Sequence, residues 1–133
     1  MQKAVLESPY SSDIILTGYF PHQNLPKLYA CSDACIMPSV VEGFGLPVLE
    51  AMACGVPVMC AKAGALPEIA GNAAAFFDAD NTEQTAAVIE QVLTDENLRK
   101  KLIDSGTERV KHFSWVKTAE RTMELIKNVA AQK

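Results

Sequence analysis

The stretch from Pro38 to Gly55, PSVVEGFGLPVLEAMACG, constrains the fold more than any other part of the chain. The apolar run Ala34–Met37 comes just before it and is typical of a buried strand, because it is short and turn residues follow at once. Two glycines then flank Phe44, and Pro47 suits the first turn of a helix, where its missing N–H would have had no partner. Gly55 suits the end of that helix. The pattern predicts a strand, a glycine-rich loop and a helix in direct succession.

The start of this predicted helix has the properties of an anion site. The first N–H groups of a helix lack acceptors and carry the positive end of the dipole, and glycines let a ligand approach the backbone. Glu42 precedes the loop and Glu50 lies one turn inside the helix, with no Lys or Arg between Pro38 and Ala61. Carboxylates beside a phosphate are useful when they accept hydrogen bonds from hydroxyls, which indicates a nucleotide sugar. The alternative is a tight turn with a solvated Glu42 and a Glu50 favoured by the dipole.

Short, unbroken apolar runs predict the strands of a sheet. Unbroken runs are typical of strands buried on both faces, and these alternate with helical patterns. They predict an α/β domain with a parallel sheet covered by helices and a helical C-terminal third. Ligands in such sheets bind at the carboxyl ends of the strands, where the glycine loop lies. The predicted strands are Ile14–Thr17, Ala34–Met37, Val56–Ala61 and Ala73–Phe77.

Three helices are predicted in the C-terminal third, each with a polar residue at its start and an apolar face. Asn81 or Thr82 caps the first, Thr94 or Asp95 starts the second, and Ser114 caps the third. Ala86, Ile89 and Leu93 share a face of the first helix, and Leu98, Leu102, Val110 and Phe113 are predicted to face inward from the second. The last helix carries an apolar face of Ala119, Met123, Ile126 and Ala130, which is expected to lack the cover of the family's N-terminal domain.

Composition narrows the class of protein. A chain of 133 residues with 49% hydrophobic residues and a net charge of −4 predicts one globular domain and argues against binding to nucleic acid. No run approaches the ~20 apolar residues of a membrane span, and the N-terminus is too polar for a signal peptide, so the cytosol is expected. The four cysteines form no C-x-x-C pair, which argues against a zinc site and for structural roles. Three of them, Cys35, Cys54 and Cys60, lie in apolar runs and are expected to be small core residues. The fourth is Cys31.

The glycine loop and its two acids resemble a known family. Glu42 and Glu50 enclose seven residues, similar to the E-x7-E signature of retaining GT-B glycosyltransferases of family 4, also called group 1. Further stretches resemble the C-terminal domain of that family in the family's order, over roughly residues 13 to 130. They are LTGYF from Leu16, the run from Leu25 to Pro38, AMACGVPV from Ala51, GALPE from Gly64 and FSW from Phe113.

The resemblance implies a role for each residue that matches the family. Glu50 is similar to the acid that binds the ribose hydroxyls, and Glu42 to the one that touches the transferred sugar, which makes Glu42 the candidate catalytic residue. The sugar hydroxyls and the diphosphate are expected to meet the backbone N–H groups of Gly43, Phe44, Gly45 and Leu46.

Other matching positions carry weaker implications. Phe20 matches the position that contacts the base, with an aromatic that packs its own loop as the alternative. Gly64 and Glu68 match a common loop whose role is more often structural. The family works without a bound metal or other cofactor.

The resemblance also implies what the chain does and what it lacks. Residues 1–133 are similar to a partial C-terminal nucleotide-sugar-binding domain, a Rossmann-like half of a GT-B enzyme. The basic residues that contact the diphosphate in the family lie upstream of Met1, and the N-terminal acceptor domain is missing. The full-length parent would transfer a hexosyl group from a nucleotide sugar to an acceptor hydroxyl with retention, in polysaccharide or glycoconjugate biosynthesis, in the cytosol or at a membrane surface. The chain alone is expected to be inactive.

Two alternative functions remain open, and the sequence also predicts that the chain forms a homo-oligomer. The chain could instead come from a glucan synthase or phosphorylase-like relative, or be a non-catalytic module for nucleotide-sugar binding or oligomerisation. Open sheet edges at Ile14–Thr17 and Ala34–Met37, with the apolar face of the last helix, predict a homo-oligomer. The alternative is a monomer whose first twelve residues cover the open edge.

Overall fold

The computed structural model describes residues 2–131 of the chain. Helices and strands alternate up to the middle of this range, and helices alone follow. The helices are α1 (Gln2–Leu6), α2 (Leu25–Ala30), α3 (Leu46–Ala53), α4 (Leu66–Ala70), α5 (Thr82–Thr94), α6 (Glu96–Val110) and α7 (Trp115–Ala131). The strands are β1 (Cys35–Met37), β2 (Val58–Ala61) and β3 (Ala74–Phe77), and short 3₁₀ turns cover Ser11–Asp13 and His22–Asn24.

The three strands form a parallel sheet in the order β1-β2-β3. Cys35 lies opposite Val58, and Val58 lies opposite Ala74. All four residues of the central strand β2 are buried, as expected for a strand covered on both faces. The predicted α/β class, the parallel sheet and three of its four predicted strands are therefore confirmed.

The predicted strand Ile14–Thr17 is wrong. Ile14 has extended backbone angles, φ −98° and ψ 114°, but the segment makes no ladder with any strand of residues 2–131. Its side chains are exposed, Ile15 by 82%. An apolar run favours an extended backbone, but a strand needs the hydrogen bonds of a neighbour, and none reaches this segment.

The core lies between the sheet and helices α3 and α6. Helix α3 packs against β1, β2, α4 and α6, and α6 also touches β2 and β3. Gly106 allows the approach of α6 to α3, because a Cβ there would lie 3.0 Å from Cγ of Met52. The buried apolar residues of α3 and β2 are Val48, Leu49, Ala51, Met52, Val58, Met59, Cys60 and Ala61.

The cysteines lie in or near this core, with one exception. Cys60 is buried, Cys35 and Cys54 are half-buried, and Cys31 is exposed. Burial raises the pKa of the Cys60 thiol to about 12, with a contribution from Cys35, and burial also raises the pKa of Cys35. The prediction of core thiols is confirmed for Cys60 and, in part, for Cys35 and Cys54.

The helical third begins with two capped helices. Oδ1 of Asn81 accepts from the Gln84 N–H at 3.0 Å, and Oδ1 of Asp95 accepts from the N–H groups of Asn97 and Leu98, each at 3.0 Å. These bonds satisfy helix N–H groups that have no acceptor within the helix, and they confirm both predicted starts.

The buried face of α5 is shifted from the predicted apolar face. Of the three residues predicted to share that face, Ile89 is half-buried, whereas Ala86 and Leu93 are exposed, Leu93 by 44%. Val92, which was not predicted, is fully buried. Helix α5 carries apolar residues on two adjacent stripes. Its packing against β3 and α6, rather than its own pattern, selects the stripe that includes Val92.

The last helix lies apart from the core. Oγ of Ser114 accepts from the Lys117 N–H at 3.5 Å, in the predicted capping position. Every residue of α7 is exposed, including Met123 by 52% and Ile126 by 56%. The exposure predicted for its apolar face is confirmed, whereas self-association stays a prediction. None of the helices within residues 2–131 combines the length and apolar character that crossing a membrane requires.

Candidate functional site

The glycine loop enters α3 through a backbone conformation that only glycine adopts easily. Gly45 is buried, precedes the helix at the N-cap position and has φ +96°. A Cβ at this position would lie 2.8 Å from Cδ2 of Leu66. Pro47 follows in the first turn, as predicted. Both the positive φ and the contact therefore require a glycine here.

The N–H groups of this loop have no acceptor in the described part of the chain. The first helical bond runs from the Val48 N–H to the Gly45 carbonyl at 3.0 Å. Within residues 2–131, the four preceding N–H groups, those of Gly43, Phe44, Gly45 and Leu46, donate to neither a backbone nor a side-chain oxygen. They lie at the positive end of α3, so an anion could accept from them.

Glu42 is half-buried at the start of the loop, and the residues just before α4 contact its backbone. The Ala65 N–H donates to the Glu42 carbonyl at 3.1 Å. Gly64, with φ +55°, passes so close that a Cβ there would lie 2.9 Å from both N and O of Glu42. Gly64 therefore has the structural role that was expected of this loop.

Glu50 is half-buried on α3 and has a neutral partner. The hydroxyl of Tyr29, on α2, donates to Oε2 of Glu50 at 3.2 Å. Burial raises the pKa of Tyr29 to about 12, and the Glu50 carboxylate adds to the increase. No ion pair within residues 2–131 includes Glu42 or Glu50. Tyr29 is not among the predicted site residues, because it lies 21 residues from Glu50 and no local spacing connects the two.

Phe44, at the tip of the loop, contacts the C-terminal third of the chain. Its ring meets that of Phe113 edge to face, with the centroids 6.1 Å apart and the planes at 88°. The guanidinium of Arg109 lies 5.0 Å from the Phe113 centroid. Sequence reasoning placed Phe113 in the core but did not connect it with the loop.

Phe20 is half-buried, beyond the exposed segment Ile14–Tyr19. It makes no aromatic pair with Phe44 and no hydrogen bond to the loop within the described residues. The structure thus brings Glu42, the loop and Glu50 together on one turn and one helix, while the role of Phe20 stays a prediction.

Two cavities have linings that include none of the predicted site residues. One of about 600 Å³ is at the carboxyl ends of β2 and β3, where Lys62, Asp78 and Asp80 line it. Another of about 400 Å³ lies along α6. Within residues 2–131 no three side chains of His, Cys, Asp or Glu are grouped to hold a metal ion, and the metal-free mechanism stays a prediction.

Comparisons with known proteins agree with this geometry. The family model for glycosyl transferases group 1 matches residues 1–109. The O-antigen chain mannosyltransferase B of Escherichia coli is 41% identical over 110 residues, which are 83% of this chain and 29% of that protein. The chain spans about a third or less of the length of the curated relatives that it matches.

Two solved structures share the fold. Sucrose-phosphate synthase from Thermosynechococcus elongatus superposes with a TM-score of 0.89 at 27% identity, over 99% of this chain and 34% of that one. The C-terminal domain of a glycosyl transferase group 1 family protein from Francisella tularensis superposes with a TM-score of 0.71 at 31% identity, over 84% of this chain and 58% of that one. The chain therefore belongs to the glycosyl transferases group 1 family and has the Rossmann-like α/β fold of GT-B glycosyltransferases.

Proposed function

We propose that this chain forms the donor-binding part of a retaining glycosyltransferase of family 4 and binds a nucleotide sugar. One observation supports this most strongly: among the described residues, four N–H groups just before and at the start of α3 have no acceptor, and a carboxylate lies on either side of them in the chain. Donors that point outward from a helix start bind phosphate oxygens, and carboxylates bind the hydroxyls of sugars. A nucleotide sugar carries both groups, with the diphosphate between the ribose and the sugar.

The two carboxylates take different parts of this ligand. The Glu50 carboxylate accepts only one hydrogen bond from the described residues, that of Tyr29, and so keeps free lone pairs for the ribose hydroxyls. Glu42 lies on the loop and touches the transferred sugar, where it is the candidate catalytic group. The loop N–H groups bind the diphosphate and, with the helix dipole, stabilise the charge that develops on it as it leaves. No metal ion takes part in this proposal.

The transfer itself is proposed for the protein as a whole. The chain corresponds to about a third or less of its curated relatives, so we propose that a further domain of the full-length protein binds the acceptor that carries the hydroxyl. The residues described here would bind and orient the donor, and the glycosyl group would pass to the acceptor with retention of its anomeric configuration. We place this reaction in the synthesis of a polysaccharide or glycoconjugate.

Mannose is the first sugar to test. The relative with 41% identity is a mannosyltransferase, whereas the solved structure with a TM-score of 0.89 is a sucrose-phosphate synthase. These two proteins suggest different sugar donors for the same fold. The difference in identity over the matched residues favours a mannosyl donor.

Calorimetric titration of the chain with GDP, UDP, GDP-mannose and UDP-glucose tests the proposal, with free mannose as the control. We expect one nucleoside diphosphate and its sugar to bind competitively, and free mannose not to bind. A chain that binds none of the four nucleotides at millimolar concentration would contradict donor binding. Retention is tested separately, by NMR of the anomeric carbon of the product made by the full-length protein.

A further inference from the structure

Arg109, in the last turn of α6, joins two elements that are far apart in the chain. Its Nε donates to the Ile69 carbonyl at 2.8 Å, and its Nη2 donates to the Glu68 carbonyl at 2.6 Å. Both carbonyls belong to the last turn of α4, where carbonyl groups have no partner within the helix. The planar guanidinium, with its fixed donors, suits two neighbouring acceptors better than an ammonium does. Arg109 therefore fixes α4 against α6.

Helix α4 in turn supports the loop that carries Glu42. The residue before this helix, Ala65, donates its N–H to the Glu42 carbonyl, and the side chain of Leu66 fills the space that a Cβ at Gly45 would need. The loop is thus held at its first residue and at its entry into α3. A displacement of α4 would change both contacts.

The same arginine reaches the tip of the loop by a second route. Its guanidinium lies over the Phe113 ring at 5.0 Å, and Phe113 meets Phe44 edge to face at 6.1 Å. Arg109 and Phe113 are both half-buried, so water screens this contact only in part. The two routes, through α4 and through Phe113, both start at Arg109.

We propose that Arg109 and Phe113 are positioning residues that set the place of Glu42 relative to Glu50, an inference that rests on the proposed donor binding. Neither residue would touch the donor, and both act through the loop. Glu50 is held separately by the Tyr29 hydroxyl. The proposed nucleotide sugar meets both Glu42 and the loop N–H groups, whereas the nucleoside diphosphate meets the loop but not Glu42. Loss of either Arg109 or Phe113 should therefore lower the affinity for the nucleotide sugar more than the affinity for the nucleoside diphosphate.

Arg109 and Phe113 together form a clamp on the loop, and they lie at and beyond the end of the residues that the family model matches. Arg109 is the last residue that the family model covers, and Phe113 lies outside it.

Amide hydrogen exchange of the chain without ligand tests the clamp itself. The variants are Arg109→Met, Phe113→Leu and the conservative Phe113→Tyr, with the exposed Arg121→Met of α7 as the matched control. The reporters are the amides of Ala65 and Val48, which donate to Glu42 and Gly45, and the Lys62 amide, which donates to Phe77, is the reference. We expect exchange at both reporters to become about tenfold faster in the first two variants, with the reference unchanged.

Calorimetry on the same variants tests the consequence for the donor. We expect Arg109→Met and Phe113→Leu to weaken nucleotide-sugar binding about tenfold and to weaken nucleoside diphosphate binding by a smaller factor, about two- to threefold. Phe113→Tyr, which keeps the ring, should restore wild-type values, and Arg121→Met should match them. Phe113→Leu removes no charge and no hydrogen bond. It therefore tests the positioning role even if Arg109→Met does not fold.

The outcomes separate this inference from the function on which it rests. Unchanged exchange at Ala65 and Val48 in Phe113→Leu would overturn the clamp. Equal losses of affinity for both ligands would show a general structural role and overturn the positioning role. A wild-type chain that binds neither ligand would overturn the proposed function and the donor part of this inference, while faster exchange in the variants would still support the clamp.

Discussion

The hydroxyl of Tyr29 donates a hydrogen bond to Oε2 of Glu50 over 3.2 Å and so links α2 to the helix that follows the glycine loop. A tyrosine fixes the orientation of the carboxylate without neutralising its charge. An arginine in the same place would occupy both carboxylate oxygens. Glu50 therefore keeps acceptor capacity for the ribose hydroxyls of the proposed donor.

Replacing Tyr29 by Phe should weaken binding of the nucleoside diphosphate by about fivefold. The change removes one hydrogen bond to a charged, half-buried group, which contributes about 1 kcal/mol or somewhat more. Calorimetry checks this, with Tyr19→Phe as the matched control because Tyr19 is 93% exposed. Unaltered affinity in Tyr29→Phe would mean that Glu50 needs no such support.

The same tyrosine predicts a loss of stability at high pH. Its folded-state pKa is raised from 10.0 to about 12, so the folded chain keeps the proton over a range in which the unfolded chain releases it. The stabilisation is fully present below pH 10 and is lost as the pH rises from 10 to 12.

Absorbance at 295 nm and urea unfolding across that range measure the effect. The chain has three tyrosines, and we expect one of them to ionise near pH 12. Tyr29→Phe should lack that transition and lose less stability between pH 10 and 12 than the wild type does. Three tyrosines that ionise together near pH 10 would contradict the buried hydrogen bond.

Gly64→Ala should destabilise the fold more than Gly55→Ala. Both glycines are exposed and have positive φ, +55° and +72°, so both substitutions carry left-handed strain of about 1–2 kcal/mol. Only at Gly64 does the new methyl meet backbone atoms, N and O of Glu42 at 2.9 Å, which adds about 1–3 kcal/mol. Urea unfolding measures the difference, and equal losses in the two variants would show that the loop moves freely.

Self-association through α7 is the fourth prediction. Every side chain of this helix is exposed, including Met123 and Ile126 on its apolar face, and burial of apolar area stabilises by about 25 cal/mol per Å². Light scattering at micromolar concentration should give a mass above 14.4 kDa for the wild type. Ile126→Lys should lower it, whereas Asn128→Lys, on the opposite face, should not. A wild-type monomer at all concentrations would contradict this prediction.

The parts of the fold that local signals determine were predictable from the sequence. Gly45 and Pro47 mark the start of α3, and Asn81 and Asp95 cap the helices that follow them. Such signals depend on a few neighbouring residues, so they can be interpreted without knowledge of the tertiary contacts. The strand predicted at Ile14–Thr17 failed for the opposite reason, because its formation depends on a partner and not on its own residues.

The supports of the site were not predictable in this way. Tyr29 and Glu50 are 21 residues apart, and Arg109 and Ile69 are 40 apart. No spacing rule connects such pairs, since only the packing of α2, α4 and α6 around the loop brings them together. The sequence therefore indicated which residues could touch a ligand but not which residues hold them in place.

Titration of the Glu50→Gln and Glu42→Gln variants with the nucleoside diphosphate and its nucleotide sugar tests the donor site most directly. Loss of a hydrogen bond to a charged group costs about 1.5–3 kcal/mol, so Glu50→Gln should weaken nucleoside diphosphate binding by about ten- to a hundredfold. Glu42→Gln should leave that affinity within about twofold and weaken only the binding of the nucleotide sugar. Equal nucleoside diphosphate affinity in the wild type and Glu50→Gln would contradict the account.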